Sequence, residues 1–148
     1  MTTQQPSSAP PPISPSIIAL TLARRVEAEL NTALVPLDLT VRRLGLLGHI
    51  SGVPAVSFSD LARMSGTTVQ SAHTAVKALA TAGLVRDSTA RAGSASTIEL
   101  TAKGTRLLGE AREVVSAVDD RLFGPESDPV NQQIGAAIRA AFADITPP

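Results

Sequence analysis

Apolar side chains recur every three or four residues in four long stretches of the chain, which is the spacing of one face of an α-helix. The four predicted helices cover residues 16–34, 41–50, 102–122 and 130–145. Ser14 or Ser16 is expected to cap the first helix, and Pro36 to end it, because helical geometry is disfavoured before a proline. The pattern therefore predicts a mainly α-helical chain.

Residues 59–100 contain two shorter helices with a turn between them. Ser59 is expected to cap the first helix, in which Leu61, Ala62 and Met64 pack inward. Ser65-Gly66-Thr67 forms the turn, since glycine adopts positive φ without strain. Thr68 is expected to cap the second helix, residues 69–82. Its predicted buried face consists of Val69, Ala72, Ala75, Val76 and Leu79.

A short hairpin is predicted after the second of these helices. Gly83 stops the helix, Leu84-Val85 begins one strand, and the alternating residues 97–100 form the return strand. Thr101 then caps the long helix over residues 102–122. Helix, turn, helix and hairpin in this order are the plan of a winged helix-turn-helix, a nucleic-acid-binding module.

The distribution of charge agrees with this interpretation although the net charge of the chain is zero. Residues 40–112 carry nine basic and four acidic side chains, a net charge of +5, whereas the flanking segments carry −1 and −4. Positive charge on the predicted module suits binding to phosphates. Only 2% of the residues are aromatic, which argues against single-strand recognition by base stacking.

Composition and motifs argue against other classes of function. The absence of cysteine excludes disulfides, Cys-based zinc sites and a Cys nucleophile, and we expect no metal or other cofactor. No glycine-rich phosphate loop, paired-carboxylate site or nucleophile motif is present, so we do not expect an enzyme. No apolar run approaches the roughly 20 residues that span a bilayer, and the N-terminus lacks the pattern of a signal peptide. We expect a cytoplasmic protein with no membrane partner.

Three local motifs carry a resemblance to a known family: Ser59-Asp60-Leu61-Ala62, Leu79 with Ala82-Gly83-Leu84-Val85-Arg86, and Leu100-Thr101-Ala102-Lys103-Gly104. Over about residues 15–145, the chain resembles the multiple-antibiotic-resistance regulator (MarR) family. The resemblance implies a homodimeric transcriptional regulator, in our interpretation a repressor, whose two winged modules bind a pseudo-palindromic duplex DNA. Many members release DNA on binding a small aromatic or phenolic effector.

The resemblance and the residue pattern together predict four segments. Residues 1–14 form a disordered tail, and residues 15–38 an N-terminal dimerisation helix. Residues 39–100 form the winged helix-turn-helix, and residues 101–148 form C-terminal helices for dimerisation. The predicted fold class is thus mainly α with a small β-hairpin wing, flanked by dimerisation helices at both ends.

Seven polar residues are predicted to contact DNA: Thr68, Gln70, Ser71, His73, Thr74, Lys77 and Arg91. Gln reads adenine, Lys binds guanine or phosphate, and Ser and Thr hydroxyls bind either a base or a phosphate. Thr68, at the helix start, is assigned to a phosphate, and Arg91 to the minor groove or a flanking phosphate. The alternative is a polar, solvated helix face and a solvated loop arginine.

Two departures from the family pattern motivate an alternative function. Thr74 stands where many members have an arginine, and the wing of this chain is poor in arginine. The alternative is a winged-helix dimer with weak or lost DNA binding that acts as a protein-interaction or ligand-binding module. Basic side chains near the expected effector pocket are Arg24, Arg25, Arg42, Arg43 and His49, and none of them is assigned as a ligand.

Overall fold

The computed structural model describes residues 14–88 and 97–143. Three predictions lie wholly or partly outside these residues: the N-terminal tail, Arg91 in the wing, and the last residues of the final helix through Ile145.

The described residues form six α-helices and one hairpin, which confirms the predicted fold class. The elements are α1 Pro15–Leu34, α2 Val41–Gly52, α3 Phe58–Met64, α4 Val69–Thr81, β1 Val85–Ser88, β2 Thr97–Leu100, α5 Ala102–Phe123 and α6 Pro129–Ala141. β1 and β2 are antiparallel, with Val85 opposite Leu100 and Ser88 opposite Thr97. A short 3-10 helix, Val35–Leu37, joins α1 to α2.

The hydrophobic core lies where α2, α3, α4 and the hairpin meet. Leu47, Leu61, Leu79 and Ile98 contribute one side chain from each of these elements, and each is fully buried. Burial of a side chain of this size stabilises the fold by about 1.5–3 kcal/mol. Leu34 of α1 and residues of α5 join the same core, so the helix-turn-helix is packed against both flanking helices.

The prediction that Ser59 caps α3 is wrong, because the helix begins two residues earlier than that cap requires, at Phe58, with Ser57 as its cap. The Ser57 hydroxyl accepts a hydrogen bond from the Asp60 amide at 3.1 Å and donates one to the Asp60 carboxylate at 2.8 Å. Of the two serines, Ser57 has an acidic residue three positions later and Ser59 does not, so only Ser57 can form this reciprocal cap with α3. The bond from Ser57, with a further contribution from Arg63, lowers the pKa of Asp60.

Two side chains predicted to be buried lie instead at helix ends. Met64 is the last residue of α3 and Val69 the first of α4, and their exposed fractions are 37% and 44%. The turn at Gly66, with φ of 61°, separates the two helix ends and leaves both side chains at the surface. Helical periodicity places a residue on a face but does not show whether a neighbouring element covers the helix end.

The ends of the flanking helices also differ from the predictions. Val35, which precedes Pro36, keeps helical angles of −50° and −46° and enters the 3-10 helix. The helical conformation ends at Asp38, whose backbone is in the left-handed region with φ of 53°. α6 ends at Ala141, earlier than predicted, and Phe142 follows it as the cap position.

The three outer helices, α1, α5 and α6, contact one another. Arg121 of α5 forms a 2.7 Å ion pair with Glu29 of α1. α6 crosses α5 closely: a Cβ atom on Gly135 would lie only 2.6 Å from Cβ of Phe123.

Within the described residues, none of the helices has the length and apolar character needed to cross a membrane.

Candidate DNA-binding interface

α4 presents a polar face on the side opposite the core. Ala72, Val76 and Leu79 are buried, whereas Gln70 and Lys77 point away from them and are exposed. No acidic residue occurs in α4. The outward face of this helix is therefore suited to a negatively charged partner.

The hydroxyl groups on this face are already engaged as donors. The Thr74 hydroxyl donates to the Gln70 carbonyl at 3.1 Å, and the Thr81 hydroxyl donates to the Lys77 carbonyl at 3.0 Å. Each hydroxyl keeps an accepting lone pair, and each side chain keeps a methyl group. The lone pair suits the amino hydrogens of adenine or cytosine, and the methyl group suits the thymine methyl. Thr81 was not among the predicted site residues, although it lies seven positions after Thr74, on the same helical face.

A groove runs along one flank of this face and has a volume of about 410 Å³. We call it the His73 groove. It brings together four of the predicted site residues and two side chains from neighbouring elements: Gln70, His73, Thr74, Lys77, Phe58 and Asp87. The His73 imidazole does not extend freely into solvent, because it stacks on the Phe58 ring with centroids 3.6 Å apart and an angle of 20°.

The remaining predicted residues lie elsewhere. Thr68 caps α4, where its hydroxyl accepts from the Ser71 amide at 3.1 Å and donates to the Ser71 hydroxyl at 2.9 Å. Ser71 therefore lies at the helix start, on the flank facing α2, and not in the His73 groove. The first amides of a helix have no acceptor within it, so this end is suited to a phosphate. Arg91 lies outside the described residues.

The C-terminal end of α4 is held by the loop that leads into α5. Gly83 adopts a φ of 74°, and the Leu84 amide donates back to the Leu79 carbonyl at 2.9 Å. The Thr101 hydroxyl donates to the Gly83 carbonyl at 2.7 Å, and the Lys103 ammonium donates to the Ala82 carbonyl at 3.0 Å. A cation there is favoured by the negative end of the helix dipole.

Gly104 completes this connection, which we call the α4–α5 junction. A Cβ atom on Gly104 would overlap the Leu84 carbonyl oxygen and lie 3.0 Å from the carbonyl carbon. Only glycine allows α5 to start this close to the end of α4. The second and third sequence motifs therefore meet in space, and Thr101, Lys103 and Gly104 fix the orientation of α4. Lys103 contributes to the positive charge of the module, but its ammonium is engaged here.

A second cavity, of about 480 Å³, lies between α2 and the other flank of α4. We call it the Arg43 cavity. Three of the five basic residues expected near an effector line it: Arg42, Arg43 and His49. Its other walls include Leu46, Met64 and Ala75. Arg24 does not line it, and Arg25 lines a separate surface depression on α1. Its volume is in the range of small-molecule sites.

The chain is similar to bacterial proteins that are named transcriptional repressors. Residues 37–92 match the model of the MarR family. The chain is 33% identical over 117 residues to the HTH-type transcriptional repressor Rv2887 of Mycobacterium tuberculosis, covering 78% of this chain and 84% of the relative. Because this relative exceeds 30% identity over most of both chains, the likeness extends beyond the helix-turn-helix.

Solved structures agree with the sequence comparison. The structure of M. tuberculosis Rv2887 in complex with DNA has a TM-score of 0.71 and 26% identity, covering 87% of this chain and 98% of that one. Rv2887 in complex with p-aminosalicylic acid has a TM-score of 0.69 at 26% identity, with the same two coverages. The chain belongs to the MarR family.

Proposed function

We propose that the protein is a homodimeric transcriptional repressor that binds duplex DNA with α4 in the major groove. The observation that carries the proposal is the outward face of α4, where Gln70, Thr74 and Lys77 are exposed on a helix without acidic residues. Both ends of this helix are fixed, by the Thr68 cap and by the α4–α5 junction. The DNA complex of the relative Rv2887 supports this reading.

Each proposed contact follows from the donors and acceptors on this face. Gln70 pairs with adenine through its amide, and Thr74 accepts from a base amino group because its own hydrogen is engaged. Lys77 donates to guanine or to a phosphate. Thr68 and Ser71 face a phosphate at the helix start. Arg91 is proposed to reach the minor groove or a flanking phosphate.

The exposed apolar residues of the outer helices favour a second copy of the chain as the partner. Six large apolar side chains on α1 or at α6 are about half exposed or more: Ile17, Ile18, Leu20, Val130, Ile138 and Phe142. We therefore assign residues 15–38 and 101–148 to dimerisation and residues 39–100 to DNA binding. A two-fold dimer reads a pseudo-palindrome with half-sites about 10 base pairs apart, centre to centre.

Release by a small aromatic acid is the second part of the proposal, and the Arg43 cavity is its candidate site. The cavity combines an apolar wall with the basic residues Arg42 and Arg43, and arginine suits a carboxylate. Nη1 of Arg43 donates to the Asp38 carbonyl at 3.1 Å, so a carboxylate would bind the other nitrogens of this guanidinium. It lies directly against α4, so an occupant could change the position of this helix. Rv2887 has been solved with p-aminosalicylic acid, which makes this compound the first probe to use.

The proposal is tested by titrating a fluorescent duplex, selected by the purified protein from random sequence, over a range of salt concentrations. Lys77→Ala should weaken binding and flatten the salt dependence, because two cationic contacts are lost per dimer. Arg139→Ala removes the same charge from α6, outside the proposed DNA-binding segment, and should leave the salt dependence unchanged; sedimentation equilibrium verifies that this variant is still a dimer. Insertion of about five base pairs between the half-sites should abolish high affinity, since it turns them to opposite sides of the duplex.

A protein that selects no sequence and shifts no duplex at low salt would support the alternative, a dimer that serves as a protein-interaction or ligand-binding module. Addition of p-aminosalicylic acid should lower the affinity of the wild-type protein for DNA. Arg43→Ala should reduce that effect.

A further inference from the structure

The contact between Phe58 and His73 joins the first helix of the helix-turn-helix to the DNA-facing helix. The two rings are nearly parallel and 3.6 Å apart. His73 is exposed, whereas Phe58 is half-buried and packs against the hydrophobic core. The phenyl ring therefore belongs to the rigid body of the module, and the imidazole belongs to its surface.

The position of Phe58 is fixed on both sides along the chain. Ser57 forms the reciprocal cap with Asp60, and Val56 forms an antiparallel bridge with Ile98 of β2. Phe58, the first residue of α3, lies between Ser57 and Asp60 of the cap and two residues after the Val56 bridge. Its ring is thus a fixed platform beside α4.

Stacking through the ring face has a consequence for hydrogen bonding. Both imidazole nitrogens lie in the plane of the ring, so a face-to-face contact leaves the ring edge available. In either protonation state the imidazole carries at least one N–H donor. An exposed histidine on a helix would otherwise exchange between rotamers, and ordering it on binding would cost conformational entropy.

We propose that Phe58 is a positioning residue for DNA recognition, which holds His73 so that its ring edge donates to a purine acceptor in the major groove. The inference rests on the proposed function. The acceptor is N7 of adenine or guanine, or O6 of guanine, since these atoms line the major-groove edge. Gln70 and Lys77 lie one helical turn on either side of His73 and line the same groove, so the three side chains read adjacent positions.

The test is a thermodynamic cycle of Phe58→Leu, His73→Ala and the double variant, on the duplex selected by the wild-type protein. Leucine keeps apolar packing against the core but removes the ring. Each single variant should weaken binding on the order of tenfold, because one hydrogen bond is lost in each half-site. The double variant should bind like His73→Ala alone, since Phe58 acts through His73.

The sequence specificity of DNA binding is a second measurement, which a merely structural role of Phe58 would leave unchanged. His73→Ala and Phe58→Leu should both relax the preference at the same base pair of each half-site, and Phe58→Tyr, which keeps the stack, should retain it. The matched control cycle pairs Phe58→Leu with Thr74→Ala, and these two effects should add. Circular dichroism melting of each variant shows whether the fold is retained.

The outcomes separate this inference from the proposed function. If the wild-type protein binds its selected duplex but the effects of Phe58→Leu and His73→Ala add, Phe58 does not act through His73 and the inference fails alone. Uniform weakening across all sequences would also overturn it, because His73 would then contact a phosphate. Failure of the wild-type protein to bind any duplex would overturn the proposed function itself.

Discussion

The α4–α5 junction predicts that replacing Gly104 with alanine destabilises the protein, although alanine is normally the better helix residue. In an exposed helix interior, Gly→Ala stabilises by up to about 1 kcal/mol. At Gly104 the added methyl group would overlap the Leu84 carbonyl oxygen, which is backbone and cannot rotate away. The start of α5 must move away from the end of α4.

The size of the effect follows from the contacts that this movement disturbs. Overpacking costs typically 1–3 kcal/mol. The shift also lengthens the bonds from Thr101 to the carbonyls of Leu84 and Gly83, now 3.0 and 2.7 Å, and a hydrogen bond contributes about 1 kcal/mol. After subtraction of the helix-propensity gain, we expect a net loss of about 1–3 kcal/mol. For a chain of this size that corresponds to roughly 2–4 °C in Tm per kcal/mol.

The chain provides matched controls. Gly109 lies in the same helix and Gly45 in α2, and a Cβ atom on either would have no neighbour within 4 Å. Gly109→Ala and Gly45→Ala should therefore leave the stability unchanged or raise it by up to about 1 kcal/mol. The free energy of unfolding is measured by urea denaturation followed by circular dichroism, at several protein concentrations because a dimer unfolds in a concentration-dependent way. A Gly104→Ala variant as stable as the two controls would contradict the close approach of α5 to Leu84.

Three further predictions concern the cap, the core and the outer helices. Ser57→Ala should raise the pKa of Asp60 toward 3.8 in a carboxyl NMR titration; an unchanged value would show that the Ser57 hydroxyl does not cause the shift. Because the folded-state pKa of Asp60 is lowered, its contribution to stability is present above the ordinary pKa of 3.8 and is lost as the pH falls through the folded-state value, so Ser57→Ala should flatten this part of the acid-unfolding curve. Leu47→Ala should cost about 2–5 kcal/mol in urea unfolding, since the side chain is fully buried, and a cost below about 1 kcal/mol would contradict its central position. Gly135→Ala should weaken dimerisation in sedimentation equilibrium, because the new methyl group would push α6 away from Phe123. An unchanged dimer dissociation constant would show that this crossing of α5 and α6 does not contribute to dimerisation.

The sequence was most informative where a local rule decides the structure. Thr68 and Thr101 each cap the predicted helix through a side-chain hydrogen bond, and Gly66 and Gly83 adopt positive φ at the predicted turn and the predicted helix stop. These outcomes depend on residues within a few positions of each other. The order of elements and the winged helix-turn-helix followed from them.

The features that were missed depend on contacts between elements. No local pattern in the sequence indicates that the Phe58 ring stacks on His73, because the two residues lie in different helices. The role of Gly104 likewise depends on a carbonyl twenty residues earlier, at Leu84. The cap of α3 is an exception: Ser57 and Asp60 have the capping-box spacing, and comparing it with that of Ser59 would have placed the helix start correctly.

The central claim is that the outward face of α4 selects a DNA sequence. The most direct measurement is a parallel selection from random duplex DNA by the wild-type protein and by the triple variant Gln70→Ala, Thr74→Ala, Lys77→Ala. We predict that the wild-type protein enriches one pseudo-palindrome and that the folded triple variant does not. Enrichment of the same sequence by both proteins, or of none by the wild-type protein, would contradict the assignment of α4 as the DNA-reading helix.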